Sequence, residues 1–349
     1  MDALHNAVRA FVAGVEDAGL ELHGFMLAQH DRLVAQGWWA PYGPDAPHLL
    51  YSLSKTFTAT AYAFAEAEGL IGRDVPLISH WPEFADDAGP RASAWTPRML
   101  LRMASGHTSD VFFGGTPGDE AVLGRGDVDA VGWCFAQEPD AEPGSLFVYN
   151  QLCTYLIAAT VQKVTGEQLT DYLRPRLFEP LGINVARWQA DNRGRQIGFT
   201  GLHVRLDAAF VLGQLYLRGG RLAGRQLLPE GWVDEAASRL SDTSGADPDG
   251  TPRNPDWTHG YGYQLWIASH GYRGDGAFGQ FMIVLPEQDA VLAVNSGEQD
   301  MQAVLDQVWT HLLPALDAAP GDRPDGGVLT INGETIPPLP FGVSMVGPV

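Results

Sequence analysis

Apolar residues recur at helical spacing near both chain ends, and at strand spacing just inside them. Leu4, Val8, Phe11, Val12 and Val15 form one stripe, which predicts an amphipathic helix closed by Gly19. Residues 20–29 and 32–42 read as two strands around a His30-Asp31 turn, a hairpin. Residues 54–68 are alanine-rich, with Phe57, Ala61, Phe64 and Ala65 on one face, and predict a largely buried helix ending at Gly69.

From about residue 70 to 244 the pattern is helix and loop. Helical periodicity marks 96–103, 152–164, 167–178 and 206–217, and also 229–240, where Pro229 suits a first helical turn. Connectors rich in Gly, Pro and Asp separate them, among them 112–127 and 137–144, and the loop-like stretch 241–259 follows. Strand-type sequence returns at 261–269, 280–285 and 290–295 at hairpin spacing. Met301, Val304, Leu305, Val308 and Leu312 then mark a closing helix.

Strands at both ends with helices between them predict an α+β fold. One antiparallel sheet, built from both chain ends and flanked by terminal helices, would carry an inserted, mostly helical lobe. The expected division is a discontinuous sheet domain of residues 1–69 and 245–320 and a helical domain of 70–244. Residues 321–349 form a C-terminal extension with no assigned role, in which 327–336 could make one short strand pair.

Composition narrows the function. Net charge is −20, which repels phosphate backbones and anionic lipid, so nucleic-acid and membrane-surface roles are not expected. No stretch approaches the ~18 apolar residues of a membrane span, and the first 19 residues lack a signal-peptide pattern. Two cysteines, Cys134 and Cys153, without metal-type spacing read as buried thiols in a reducing compartment, which predicts a cytoplasmic location. The histidines form no paired ligand pattern, so neither a metal nor another cofactor is expected.

The basic residues carry a sharper signal. Of the 22 Lys and Arg residues only Lys55 and Lys163 are lysine, leaving 20 arginines. Lysine can lose its proton when buried and arginine in practice cannot. Lys163 falls late in a predicted helix and reads as a solvated charge. Lys55 stands three residues after Ser52 at the start of the alanine-rich helix, so the two side chains share a face with Cβ atoms about 5–6 Å apart. The helix N-terminus disfavours a protonated amine there, and burial acts the same way, toward a neutral amine that accepts the serine proton. The plainer alternative is a capping serine beside a surface lysine.

Here the chain resembles the class C β-lactamase-like serine hydrolases, which include the penicillin-recognising enzymes and related esterases and amidases. Ser52-Leu53-Ser54-Lys55-Thr56-Phe57 looks like their nucleophile segment. Leu100-Leu101-Arg102-Met103-Ala104-Ser105-Gly106 resembles their LLxMxSG segment, and Phe147-Val148-Tyr149-Asn150-Gln151 their second catalytic motif. Leu177-Phe178-Glu179-Pro180-Leu181-Gly182 and Gly219-Gly220 with Leu227-Leu228-Pro229 are further matches, all in the family's order between about residues 34 and 297.

The resemblance implies a β-lactamase/penicillin-binding-protein-like fold and an acyl-enzyme mechanism. Ser52 would be the nucleophile, Lys55 its proton acceptor, and Tyr149 the relay to the leaving group, with a pKa lowered by the neighbouring lysine. The family pattern is Tyr-x-Asn; Gln151 keeps the amide on a longer arm reaching toward a substrate carbonyl. Gly274-Asp275-Gly276-Ala277 matches by order the third motif on the strand lining the site. Its small residues would let substrate approach, and the Ala277 and Ser52 N–H groups would form the oxyanion hole. That motif's lysine is replaced by Gly274, flanked by Arg273 and Asp275, which favours a neutral small ester or amide over penicillin-type carboxylates. Acyl transfer, D,D-peptidase or β-lactamase activity, and a ligand-binding homologue without turnover are the competing readings. Trp38, Trp39, Trp95, Phe112, Phe113, Trp133 and Trp266 are candidates for an apolar cleft.

Overall fold

The computed structural model describes residues 3–113, 119–245, 247, 250–317, 329–331 and 334–336. Helix α1 (Ala3–Asp17) leads into β1 (Leu22–Gln29) and β2 (Arg32–Trp38), the expected hairpin. A short strand β3 (His48–Leu49) precedes a 3-10 turn at Tyr51–Leu53, which runs into α2 (Ser54–Ala67). The inserted region holds α3 (Pro97–Leu101), α4 (Ala130–Phe135) and α5 (Gln151–Thr165). There α6 (Leu169–Leu173) continues through a π-wound turn, Arg174–Phe178, into Glu179–Leu181. Strands β4 (Ala186–Trp188) and β5 (Leu202–Val204) pair with β3 in a small sheet, and α7 (Leu206–Leu217) and α8 (Trp232–Ala236) follow.

The C-terminal strands are β6 (Trp266–Ile267), β7 (Tyr272–Gly276), β8 (Gln280–Leu285) and β9 (Ala290–Ser296). They complete a six-stranded antiparallel sheet of order β2-β1-β9-β8-β7-β6. Helix α9 (Met301–Gln307) closes it, extended through Val308–Leu312 to Leu313–Leu316. The fold is therefore α+β, with the sheet built from both chain ends.

Both faces of the sheet are covered, which explains the almost unbroken apolar runs of β8 and β9. Phe281, Ile283, Leu292 and Val294 meet Val8, Phe11, Val304 and Val308 of the terminal helices in one cluster. The alternate residues Met282, Val284, Val291 and Ala293 join the larger core formed with α2, α5 and α7. Helix α7 comes so near the sheet that a Cβ on Gly213 would lie 2.7 Å from Val291 Cγ1. This helix, which periodicity alone groups with the inserted lobe, packs directly on the sheet.

Two expected elements shorten. The strand at 261–269 shrinks to Trp266–Ile267, and Tyr261, buried in the core, makes only isolated bridges to Ser241 and Trp266. The strand Tyr272–Gly276, which the hydrophobic pattern does not mark but the family resemblance places along the site, pairs with β8 along its whole length. Helix 229–240 reduces to Trp232–Ala236. Cys134 and Cys153 are buried and free. Among the described residues, no helix is long and apolar enough to cross a membrane. Within the expected C-terminal pair, Leu329–Ile331 pairs with Glu334–Ile336, and the rest of 321–349 lies outside the described residues.

Candidate active site

The start of α2 is pinned by three hydrogen bonds to two neighbours, Leu202 and Gln264. Leu50 N–H donates to Leu202 O at 2.8 Å. Ser54 Oγ accepts from Leu202 N–H at 3.2 Å, and Thr56 Oγ1 donates to Gln264 O at 3.2 Å. Between these ties Tyr51 holds a left-handed backbone, φ +47°, uncommon for a residue with a side chain. The strained residue immediately precedes Ser52, whose side chain remains partly accessible in the 3-10 turn.

Lys55, in the first turn of α2, is 1% exposed. Its Nζ lies 2.9 Å from Ser52 Oγ and donates to Phe199 O at 3.0 Å. Burial pushes its pKa down to about 7, against the opposing pull of Asp110 and, more weakly, Cys153. A large fraction of the amine is therefore uncharged at neutral pH, within proton-transfer distance of a hydroxyl. Lys163 is different: it is exposed, as expected of a solvated charge, pairs with Glu83 at 2.5 Å and sits 4.0 Å over the Trp81 ring.

Tyr149 lies just before α5, and the nearby Ser52 side chain favours the ionised form of its phenol. Lys55 Nζ stands 4.8 Å from the centre of its ring. The expected lowering of the phenol pKa does not occur. Burial raises it, the negative charges of Asp275 and Asp110 add to the effect, and only Ser52 opposes. The amine faces the ring rather than the hydroxyl, so the phenol stays protonated and can donate.

Gln151 opens α5 and is 8% exposed. Its side chain helps hold the Asp110 carboxylate in the charged form, and its Oε1 is buried without a hydrogen-bond partner. Asp110, which no sequence signal singled out, also accepts from the Gln151 N–H at 3.1 Å and the Phe112 N–H at 3.2 Å. Burial raises its pKa. Asn150 caps α5 by accepting from Leu152 N–H at 3.1 Å and Val111 N–H at 3.2 Å, which fixes Tyr149 and the Asp110 loop together.

Strand β7 runs beside the Ser52 turn. A Cβ on Gly276 would stand 2.1 Å from Leu50 O, and one on Gly274 would stand 2.5 Å from Leu53 Cδ1 and 2.6 Å from Thr56 Oγ1. These glycines therefore let the strand close on the Ser52 turn; their missing side chains serve strand–helix packing rather than substrate approach. Ala277 is exposed in the turn after β7. The next residue, Phe278, has its ring 5.1 Å from that of Tyr51, so this turn and the Ser52 turn are neighbours.

Asp275, between the two glycines, belongs to a buried network. Arg273, with no exposed surface, pairs with Asp275 at 3.0 Å and donates to Asp256 O at 2.8 Å. Burial lifts the Asp275 pKa to about 6, while Arg273 and the Trp257 side chain pull it back. Among the described residues, no group of three or more His, Cys, Asp or Glu is placed to hold a metal ion.

The order of these segments along one α+β scaffold is that of a known family. The Beta-lactamase family model matches residues 7–312, and the chain belongs to that family. It is a serine hydrolase of the ester- and amide-cleaving kind. The 6-aminohexanoate-dimer hydrolase of Paenarthrobacter ureafaciens is 23% identical over 295 residues, covering 79% of this chain and 72% of that protein. A solved Bacillus anthracis protein assigned as a 6-aminohexanoate-dimer hydrolase superposes with a TM-score of 0.72 at 20% identity, over 88% of this chain and 82% of that one. EstCE1, a hydrolase with promiscuous acyltransferase activity, superposes with a TM-score of 0.69 at 16% identity, over 89% and 99%.

Proposed function

We propose that the chain cleaves small neutral esters or amides through an acyl-enzyme on Ser52. The uncharged Lys55 amine takes the Ser52 proton as Oγ attacks the carbonyl carbon. The Ser52 and Ala277 N–H groups stabilise the oxyanion. The Tyr149 phenol gives its proton to the departing alkoxide or amine, leaving a phenolate that takes a proton from the attacking water in the second half-reaction, while protonated Lys55 returns its proton to Ser52 Oγ as the ester breaks. Water then attacks the ester on Ser52 and releases the acid. Asp275 supports the oxyanion strand from behind through Arg273. No cofactor enters this scheme. Two buried free thiols support a cytoplasmic location.

The observation that carries this reading is the buried amine 2.9 Å from Ser52 Oγ, shifted down to about 7. The test is labelling with a fluorophosphonate, read by peptide mass spectrometry, in the intact chain and in Ser52→Ala. A single adduct on Ser52, slowed at least a hundredfold in Lys55→Ala, is expected. Turnover of esters by a chain that takes no label on Ser52 would overturn it.

A further inference from the structure

Beside Tyr149 lies a cavity of about 410 Å³, within the ~300–1,000 Å³ typical of small-molecule pockets. Its walls include Tyr149, Trp257, Trp266 and Met301, with Arg253, Asn254 and Gln299 among the polar lining. The Tyr149 and Trp266 rings are stacked at 5.5 Å, and Trp257 meets Trp266 edge-on at 6.5 Å. Neither Ser52 nor Lys55 lines this space. It therefore adjoins the proton-donating end of the triad rather than the attacking end.

The walls are held rigidly. The Arg273 guanidinium stacks under Trp257 at 4.6 Å and is itself held by Asp275 at 3.0 Å. The ion pair behind the oxyanion strand thus also sets the position of this indole. Charge in and around the cavity is balanced. Arg253 pairs with Asp247 at 2.8 Å and donates to the carbonyls of Thr243 and Gly245, both at 2.8 Å. Asp275 is matched by Arg273. A flat apolar group gains aromatic contact here, and an ionised group finds no unmatched partner among these residues.

We infer that this cavity is the leaving-group pocket, and that it selects neutral aromatic leaving groups, with Trp257 as the specificity-determining wall and Asp275 as its positioning residue. The inference rests on the proposed role of Tyr149 as proton donor to the leaving group. It predicts that benzyl esters are preferred over alkyl esters of the same acid.

The test compares benzyl, propyl and 3-trimethylammoniopropyl acetates. Benzyl acetate is expected to exceed propyl acetate in kcat/KM by about tenfold, mostly through KM, and the cationic ester to be the poorest. Trp257→Ala should bring the benzyl-to-propyl ratio near one, while Trp257→Phe keeps most of it. Asp275→Asn should lower the ratio through KM, and a fall in kcat alone would deny the positioning role. Equal rates for benzyl and propyl acetate in the unaltered chain, or a preference for the cation, overturn the pocket while leaving Ser52 chemistry standing. If no ester is turned over and Ser52 takes no label, the catalytic reading fails. Saturation-transfer NMR with benzyl alcohol then decides the pocket alone: a signal lost in Trp257→Ala upholds it, and no signal in the unaltered chain ends it.

Discussion

Lys55 meets Tyr149 through the face of its ring, with Nζ 4.8 Å from the ring centre, and not through the phenol oxygen. Both groups instead lie beside Ser52. The amine is pushed toward its neutral form and the phenol is kept in its protonated form, so an acceptor and a donor stand on one serine. That division of labour sets most of the predictions.

The rate should follow the ionisation of Lys55. Only the neutral amine accepts a proton, and burial brings its pKa down to about 7. Accordingly kcat/KM for a neutral ester should fall tenfold per pH unit well below 7 and level off above it. A pH–rate profile checks this; Lys55→Arg, which cannot deprotonate, should lose at least a thousandfold.

The same amine links stability to pH. Folded Lys55 releases its proton near 7, whereas an unfolded lysine keeps it to its ordinary value of 10.5. Between those values the unfolded state binds more protons, so this residue makes stability rise with pH. Thermal melts of the unaltered chain and Lys55→Met from pH 7 to pH 9 should show the unaltered chain gaining steadily on the variant.

Removing the phenol should separate substrates by leaving group. Tyr149→Phe is expected to cost ~10²–10³ in kcat for alkyl esters and amides, within the usual range for a proton donor. Nitrophenyl esters, whose leaving group departs without a proton, should lose much less. Steady-state kinetics on matched acetates checks the difference.

Two neighbouring glycines should respond unequally. Gly276→Ala drives a Cβ against the Leu50 backbone carbonyl, which cannot move without shifting the Ser52 turn. A loss of ~1–3 kcal/mol and of most Ser52 labelling is expected. Gly274→Ala meets the side-chain ends of Leu53 and Thr56, which can rotate, and should be milder in both melts and labelling.

The buried ion pair should be costly to break and cheap to replace. Asp275→Asn leaves Arg273 charged with no exposed surface, for a loss of ~3–5 kcal/mol. Replacing both, Arg273→Met with Asp275→Leu, should recover much of that in urea unfolding.

The Ser52–Lys55 relation was legible because a three-residue spacing at a helix start translates directly into shared orientation, and because lysine is scarce in this chain. The sheet built from both ends was legible from short strand-type runs at hairpin spacing near both chain ends, 20–29 with 32–42 and 280–285 with 290–295. Strand β7 was legible only through the order of the motifs, since its Arg, Asp and glycines interrupt any apolar pattern; the three-dimensional pairing of Arg273 with Asp275 is what makes those residues buryable. The direction of the Tyr149 shift was missed for a related reason. The family resemblance places a lysine near a tyrosine, but whether it faces the oxygen or the ring depends on α2 and α5 packing together. Asp110 gave no signal, because its role comes from a loop returning to the start of α5.

Strand β1 pairs with β9, joining residues 22–29 to residues 290–296. During synthesis the first strand must wait, without its central neighbour, until most of the polypeptide has left the ribosome. A transcript cut short before residue 296 would yield a product with Ser52 and Lys55 both present and no sheet to hold them, so premature termination here should produce an inert, aggregation-prone fragment rather than a weakened enzyme.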